Sequence, residues 1–307
     1  MEGVQDMDQS AIFEELRGRL TDNLRTLADK PEETPLSTLQ ALWHTAADFP
    51  VSARMAGRHP LPVLTPAQAG RLRELVGQRL LGVPLAHLTG RQSFMGIELY
   101  AGPQALIPRQ ETEMLGHAAL EILQNLIAQR GQAVVVDVCT GSGNLAVSLA
   151  SLSPKSRVFA SDISADAVGL ARKNALLAGV SDRVELLEGD FLEPFRPVGL
   201  EGKVDVLVCN PPYISSQKVA TLPVEIAEHE PAQCFDGGPF GASFLRRLIT
   251  AAPDFLTEGG ALAFEVGRGQ GEPMLRQLTN NPNFKDTRGI TDTAGNVRAI
   301  VAYRCIG

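Results

Sequence analysis

With 307 residues, 44% of them apolar and 21% charged, the chain is long enough for a large core and two domains. No apolar stretch approaches the roughly 18 residues that span a membrane, and the first twenty residues contain acids instead of a signal-peptide core, so we expect a cytoplasmic protein that contacts no membrane. The net charge is −7, with 11 acids against 9 bases in residues 1–85 and 24 against 19 in the remainder, and this balance argues against direct nucleic-acid binding.

Apolar periodicity in the first part of the chain predicts helices separated by loops that contain Pro and Gly. After a frayed stretch at residues 1–9, helices are predicted near residues 10–29, 37–48 and 66–81. We expect them to form a small all-helical domain over residues 1–85. Residues 86–107 alternate in polarity and predict a β-hairpin linker that turns at Gly96.

The remainder, residues 108–307, alternates between helical and strand patterns. The predicted elements are a helix near 110–129, a strand near 134–138, a helix near 144–152, a strand near 157–161, a helix near 165–178, strands near 184–188 and 204–209, a helix near 239–257, a strand near 261–266, a helix near 269–280, and a final antiparallel pair of strands near 284–291 and 297–304. Such alternation is typical of an α/β protein with a doubly wound sheet.

A glycine-bearing loop follows the first strand of this region. It reads Cys139-Thr140-Gly141-Ser142-Gly143-Asn144. Glycines between a strand and a helix let backbone N–H groups approach a ligand closely. Because Gly141, Gly143 and Ala146 also satisfy the dinucleotide pattern G-x-G-x-x-G/A, a nicotinamide-dependent enzyme is one interpretation.

Acidic side chains mark the ends of three successive predicted strands. Asp137 lies inside the first strand, Asp162 ends the second, and Asp190 follows the third. In that order they could face an ammonium group, accept hydrogen bonds from both ribose hydroxyls, and bind an adenine stacked on Phe191. The series fits S-adenosylmethionine better than a dinucleotide. Each residue also has a structural alternative, which is a turn or helix cap for the acids and a core position for Phe191.

The stretch Asn210-Pro211-Pro212-Tyr213 follows the strand near residues 204–209, where open α/β sheets place their ligand crevices. The Asn210 side-chain oxygen and the Pro211 carbonyl could both accept hydrogen bonds from one planar NH2 group. The prolines stiffen the turn, and Tyr213 offers a flat face for an amide or a base. We interpret the stretch as a holder for an amide or exocyclic amine, with a rigid structural turn as the alternative.

Further segments accompany these motifs. They are Gly82–Gly90, Phe94–Gly96, Leu106–Glu113, Glu230-Pro231, Asp236–Gly238, Gly259-Gly260, Phe264–Gly267, Gln270 and Asp292–Arg298. With them, the chain resembles the HemK-type (PrmC-like) N5-glutamine methyltransferases of peptide chain release factors over roughly residues 80–304. The specific combination is Pro-Arg-x-Glu-Thr-Glu joined to Asn-Pro-Pro-Tyr, because the latter alone also admits methyltransferases of adenine, cytosine or guanine amino groups.

The resemblance implies a seven-stranded, Rossmann-like S-adenosylmethionine-dependent methyltransferase sheet in residues 108–307, behind a helical domain that docks the protein substrate. The cofactor-binding residues that it implies are Asp137, Cys139, Thr140, Gly141, Ser142, Gly143, Asp162, Asp190, Phe191 and Asn210. The catalytic and substrate-binding residues that it implies are Asn210, Pro211, Pro212 and Tyr213. Arg109, Glu111 and Glu113 would line the pocket or order their segment, with a salt-bridged helix start on the surface as the alternative.

Two positions depart from the family pattern. Cys139 stands where the family's loop usually begins with Gly, so its sulfur is expected to crowd the methionine end of the cofactor without abolishing binding. Phe191 stands where an aromatic residue, often Trp, contacts the adenine. Because Cys139, Cys209, Cys234 and Cys305 lack paired spacing, we expect reduced thiols and neither a zinc site nor a disulfide framework.

The implied reaction is direct methyl transfer from S-adenosylmethionine to the side-chain amide nitrogen of a glutamine, leaving S-adenosylhomocysteine, with no metal and no covalent nucleophile. A peptide chain release factor is the expected substrate and partner. Two alternatives stay open: a nucleic-acid amino-methyltransferase, which the acidic composition disfavours, and a family member redirected to another protein or to a small amide.

Overall fold

The computed structural model describes residues 2–27, 29–221, 223–238 and 241–306. The helices are α1 (Glu2–Asn23), α2 (Pro35–Ala46), α3 (Ala53–Ala56), α4 (Pro66–Leu80), α5 (Leu85–Thr89), α6 (Thr112–Arg130), α7 (Asn144–Leu152), α8 (Ala165–Leu177), α9 (Ser216–Val219), α10 (Val224–Ala227), α11 (Ser243–Phe255) and α12 (Gly271–Thr279). The strands are β1 (Arg91–Phe94), β2 (Ile97–Tyr100), β3 (Ala133–Val138), β4 (Ser156–Asp162), β5 (Val184–Glu188), β6 (Val204–Cys209), β7 (Leu256–Glu265), β8 (Phe284–Thr291) and β9 (Val297–Arg304).

The chain divides into two compact units. The first unit comprises Met1–Pro103 and Pro223–His229, and the second comprises Gln104–Leu222 and Glu230–Gly307. The functional division into a docking domain at residues 1–85, a linker at 86–107 and a catalytic domain at 108–307 stays a prediction, since compactness alone assigns no role. None of the described helices is both long enough and apolar enough to cross a membrane.

Two helices of the first unit, α2 and α4, begin at capping residues. Thr34 and Thr65 start α2 and α4 with capping boxes and a proline at the next position. Leucines of α1, α2 and α4 form the core of the unit. The predictions of helices near 37–48 and 66–81 are confirmed. The prediction of a frayed stretch is wrong for residues 2–9, because α1 begins at Glu2.

The end of α1 differs from the sequence prediction because of a buried ion cluster. The helix ends at Asn23 instead of near residue 29, and the following residues bring Lys30 and Glu33 into the interior. Arg79 of α4 donates to Glu33 at 2.8 Å and to Glu225 at 3.0 Å, and Lys30 donates to Glu225 at 2.7 Å. Charges that are buried in this way must be paired.

The predicted hairpin is present but shorter than residues 86–107. β1 and β2 pair antiparallel from Arg91↔Tyr100 to Phe94↔Ile97, and Met95 and Gly96 both have positive φ in the two-residue turn. Residues 85–89 form α5, which corrects the prediction of extended structure there. Helices as short as α3, α5, α9 and α10 hold too few residues to show a helical period in the sequence.

The second unit is built on a sheet that has seven strands among the described residues, in the order β5-β4-β3-β6-β7-β9-β8. All neighbouring pairs from β5 to β7 are parallel, and β9 is antiparallel to both β7 and β8. Helices α6, α7, α8, α11 and α12 pack against it. The predicted doubly wound α/β fold is therefore confirmed. The predicted helix near 239–257 begins at Ser243, and residues 239 and 240 lie outside the described residues.

The strand order creates a crevice between β3 and β6. The chain runs from β3 to β4 and β5 on one side and then returns to place β6 on the other side of β3. Helices that follow neighbouring strands therefore diverge at this point, at the carboxyl ends of the strands. Both strands are apolar and largely buried, which is typical of central parallel strands.

Candidate functional site

A pocket within the second unit lies at the carboxyl ends of β3, β4 and β6. Ten of the predicted site residues line it, namely Arg109, Cys139, Thr140, Gly141, Ser142, Asp162, Asp190, Phe191, Asn210 and Pro212. Six of them lie outside its lining, namely Glu111, Glu113, Asp137, Gly143, Pro211 and Tyr213. Apolar side chains from four further segments complete the wall, including Leu106, Leu145, Ile163 and Phe244.

The glycine loop is held from below by Asp137. This carboxyl is fully buried, and its Oδ2 accepts hydrogen bonds from Thr140 Oγ1 at 2.6 Å and from the Ala146 N–H at 3.2 Å. Burial raises the pKa of Asp137 to about 7, although these two hydrogen bonds act in the opposite direction. Its observed partners are Thr140 in the loop and Ala146 in the first turn of α7, so the geometry supports positioning of the loop and of the helix start more directly than the predicted contact with an ammonium group.

The loop takes a conformation that suits glycine. Gly141 and Gly143 have φ of 55° and 79°, and a Cβ on Gly143 would lie 2.9 Å from the Cβ of Ala171. Cys139 has a φ of 60° in the same loop, which is strained for a residue with a side chain. Cys139 therefore has a glycine-like backbone conformation, although it carries a side chain.

Asp162 joins the loop to the second strand end. Its Oδ2 accepts from the Gly141 N–H at 2.9 Å and its Oδ1 accepts from the Ser164 N–H at 3.0 Å. Burial raises the pKa of Asp162, and the backbone hydrogen bonds partly offset that effect. Ser164 is the N-cap of α8. Each carboxylate oxygen keeps a second lone pair that can accept from a ligand hydroxyl.

Phe191 and Asp190 meet a residue that the sequence prediction missed. Arg247 of α11 donates to Asp190 Oδ2 at 2.7 Å, and its guanidinium lies 4.3 Å from the centre of the Phe191 ring. Phe244 meets the same ring edge to face at 5.1 Å. Helix α11 therefore supplies Phe244 to the pocket lining and Arg247 to the support of Asp190 and Phe191, although its sequence shows only an apolar period.

The side chain of Asn210 is oriented by its neighbours. Its Nδ2 donates to Thr112 Oγ1 at 3.1 Å, which leaves its Oδ1 available to a ligand. Tyr213 donates from its hydroxyl to Glu265 Oε1 at 2.8 Å. Burial raises the pKa of the Glu265 carboxyl, while the Thr112 and Tyr213 hydroxyls lower it by a smaller amount. One buried carboxyl thus links both ends of the tetrapeptide.

The turn at residues 210–213 is packed from the other side by a glycine-rich segment. Gln270 Nε2 donates to the carbonyls of Tyr213 at 2.9 Å and Gly241 at 3.0 Å. A Cβ on Gly237 would lie 2.6 Å from the Pro212 oxygen, and one on Gly241 would overlap the Tyr213 carbonyl. Only glycine allows this approach, so the segment determines where the turn lies.

The segment before α6 is ordered by buried ion pairs. Arg109 donates to Glu230 Oε1, and Glu230 Oε2 accepts from the Ile107 N–H at 2.9 Å. Glu111 pairs with the buried Arg298. Glu113 lies in the first turn of α6. No group of three or more His, Cys, Asp or Glu side chains in the described part of the chain is placed to hold a metal ion.

Comparisons with known proteins agree with this geometry. Residues 115–239 match the model of the methyltransferase small domain. The release factor glutamine methyltransferase of Moorella thermoacetica is 38% identical over 292 residues, which are 94% of this chain and 98% of that protein. The proteins with the same name from Mycolicibacterium smegmatis and Geobacter sulfurreducens are each 37% identical, covering 78% and 77% of this chain and 81% and 79% of their own.

Proposed function

The chain belongs to the release factor glutamine methyltransferase family, and on this basis we propose that it methylates the side-chain amide nitrogen (N5) of a glutamine in a peptide chain release factor. The observation that carries the proposal is the orientation of Asn210. Because Thr112 accepts from its Nδ2, the side-chain oxygen of Asn210 is the atom available to accept from an amide NH2 group in the pocket.

The pocket suits S-adenosylmethionine by the chemistry of its lining. Asp162 has lone pairs for the two ribose hydroxyls, and the apolar wall near Phe191 and Phe244 suits an adenine. Cys139 and Ser142 line the part of the loop nearest the expected methionine end. When bound there, the cofactor supplies a methyl group on a sulfonium sulfur, which is a good leaving group.

The protein's own contribution is the alignment of a weak nucleophile. An amide nitrogen reacts poorly because its lone pair is delocalised into the carbonyl. We assign one N–H group of the amide to the Asn210 oxygen in the pocket and the other to the carbonyl of Pro211, a residue outside the pocket lining. The nitrogen would then be directed at the methyl, and the positive charge that develops on it would be stabilised. The proton becomes acidic once the methyl has been transferred, so a strong general base is not required.

The acceptor is tested by offering several substrates separately. We would incubate the protein with labelled S-adenosylmethionine and purified release factor, total RNA, DNA or cell lysate. Label on the release factor is expected, and Gln→Ala at the acceptor should remove it. Label on nucleic acid alone would contradict the proposal. Label only on a small molecule or on another protein would identify a redirected member of the family. Because translation terminates in the cytoplasm, we propose that location for the reaction.

A further inference from the structure

Two cysteines meet at the base of the glycine loop. Val138, the last residue of β3, lies directly opposite Cys209, the last residue of β6. Cys139 is the next residue along the chain, and it packs against the core cluster that contains Cys209. Both are free thiols. Cys139 is half-buried and lines the pocket, whereas Cys209 is fully buried beneath it.

The spacing of the two strands brings these cysteines within reach of a disulfide. Neighbouring strands lie about 4.8 Å apart and rise about 3.3 Å per residue, so a position one step beyond a directly opposed pair is about 6 Å from its diagonal partner. Disulfides join Cα atoms roughly 4.4–6.8 Å apart. The left-handed backbone of Cys139 also breaks the strand alternation that would otherwise direct its side chain to the opposite face.

The two thiols differ in accessibility. Burial, followed by the neighbouring Cys139 thiol, raises the pKa of Cys209 well above its usual range. Cys209 is therefore shielded from solvent and poorly ionised, and Cys139 is the one of the two that meets a solute in the pocket. This arrangement provides an accessible thiol and a buried resolving thiol.

We propose that Cys139 and Cys209 form a peroxide-sensitive pair that couples oxidation to cofactor binding. In the first step the Cys139 thiol is oxidised by hydrogen peroxide to a sulfenic acid, and one water is released. In the second step the sulfur of the neutral Cys209 thiol attacks the sulfenic sulfur while its proton passes to the leaving hydroxyl, so that an S–S bond forms, the S–H and S–O bonds break and a second water leaves. The protein loses two hydrogen atoms, and the peroxide is reduced to water.

The disulfide acts on the cofactor site through the loop. Cys139 is bonded in the chain to Thr140, whose hydroxyl binds Asp137, and Gly141 is bound by Asp162. A shift of Cys139 toward Cys209 therefore moves the groups that hold the loop. We expect the disulfide to weaken S-adenosylhomocysteine binding about tenfold, within the usual 5–150-fold range of coupling between sites. Bound S-adenosylhomocysteine should in turn slow the oxidation of Cys139, because it covers that wall of the pocket.

The experiment is peroxide titration of the full chain, with and without S-adenosylhomocysteine, followed by intact mass and non-reducing peptide mapping. A crosslinked peptide pair containing Cys139 and Cys209 is expected, with slower formation when the ligand is present and full reversal by dithiothreitol. Calorimetry on the oxidised and reduced protein measures the change in affinity. These measurements need no methyl acceptor. The proposal of a disulfide can therefore be disproved while the proposed function is retained, and the proposed function can be disproved while the disulfide is observed.

The variants separate this pair from the other thiols. Cys209→Ala should prevent the crosslink and leave added oxygen on Cys139 in the intact mass, whereas Cys305→Ala should form the crosslink as the wild type does. If Cys209→Ala does not fold, the Cys234→Ala variant tests the proposal in its place. Its peptide map must still show the crosslink between Cys139 and Cys209. A crosslink between Cys139 and Cys234, no crosslink at all, or an affinity unchanged by the crosslink would each overturn the proposal.

Discussion

Asp162 contacts both the glycine loop and the start of α8. We expect Asp162→Ala to weaken S-adenosylmethionine binding by on the order of 2–4 kcal/mol, because charge-assisted hydrogen bonds to the ribose would be lost. Asp166→Ala is the matched control, since Asp166 has the same charge but is exposed in the first turn of α8. Calorimetry on both variants checks this, and equal affinities would contradict the role of Asp162.

Glu265 was visible in the sequence only as part of a motif, yet it holds Tyr213 and lies beside Thr112. We expect Glu265→Gln to lower turnover up to about 100-fold, because a loosened turn misplaces Asn210. Cofactor affinity should stay within a few-fold. Glu258→Gln, an exposed position on the same strand β7, is the control. Steady-state kinetics with both variants would show the difference, and similar turnover in the two would count against a positioning role.

Asp137 predicts a pH dependence of stability. Its pKa rises from 3.8 to about 7 in the folded protein, so between these values the unfolded chain is ionised while the folded chain keeps its proton. Rising pH then lowers the free energy of unfolding by up to about 1.4 kcal/mol per pH unit from this group. The Asp137→Asn variant has no carboxyl at this position, so its free energy of unfolding does not decrease with pH for this reason. Urea unfolding should show that the stability of the variant relative to the wild type increases from pH 4 to 7 and is constant above pH 7. A difference that does not change between pH 4 and 7 would contradict the raised pKa of Asp137.

At the scale of elements, the approach of the segment around Gly241 to the turn at residues 210–213 can be tested with two glycines. Gly241 and Gly259 have φ of 64° and 71°, so alanine costs about 1–2 kcal/mol of backbone strain at either. The two glycines differ in the space around them. A Cβ on Gly241 would overlap the Tyr213 carbonyl, whereas a Cβ on Gly259 would have no atom within 4 Å. We therefore expect Gly241→Ala to lower turnover well below that of Gly259→Ala, measured under conditions in which both variants are folded. Methyl transfer assays on both variants test this expectation. Equal turnover in the two variants would show that the close approach of Gly241 to Tyr213 does not affect the reaction.

The elements that the sequence predicted well are those whose pattern is local. β3 and β6 are mainly apolar and buried, and β4 ends in Asp162, so these strands and the places of Asp162 and Asn210 at their ends could be predicted from the sequence. The partners of those residues could not. Arg247 reaches Asp190 from 57 residues away and Thr112 reaches Asn210 from 98 residues away, and no local period indicates such contacts.

At the scale of the whole molecule, the buried ion cluster is the feature furthest from any sequence signal. Glu225 lies 146 residues from Arg79. It belongs to the short segment Pro223–His229, which is part of the first unit although the chain on both sides of this segment belongs to the second. Burial opposes ionisation of Glu225, but the charges of Lys30 and Arg79 outweigh it and lower the pKa. For Glu33, burial is the larger effect and the pKa is raised.

Removing one member of this cluster should therefore be costly. We expect Arg79→Met to destabilise the protein by about 3–5 kcal/mol, because Glu33 and Glu225 lose a buried partner. Arg71→Met, on the same helix, removes an exposed pair with Asp48 and should cost no more than about 1 kcal/mol. Chemical denaturation of both variants measures the difference. Losses of similar size would show that the cluster contributes no more than a surface pair.

Whether the pocket directs a methyl group to a glutamine amide can be measured on the acceptor protein itself. Purified release factor is incubated with S-adenosylmethionine and the protein, and then fragmented in a mass spectrometer. We expect a gain of one methylene unit on a single glutamine side chain, methylamine after acid hydrolysis, and neither product with Asn210→Ala. A methyl group on a lysine or a carboxylate, or an unchanged yield with Asn210→Ala, would contradict it.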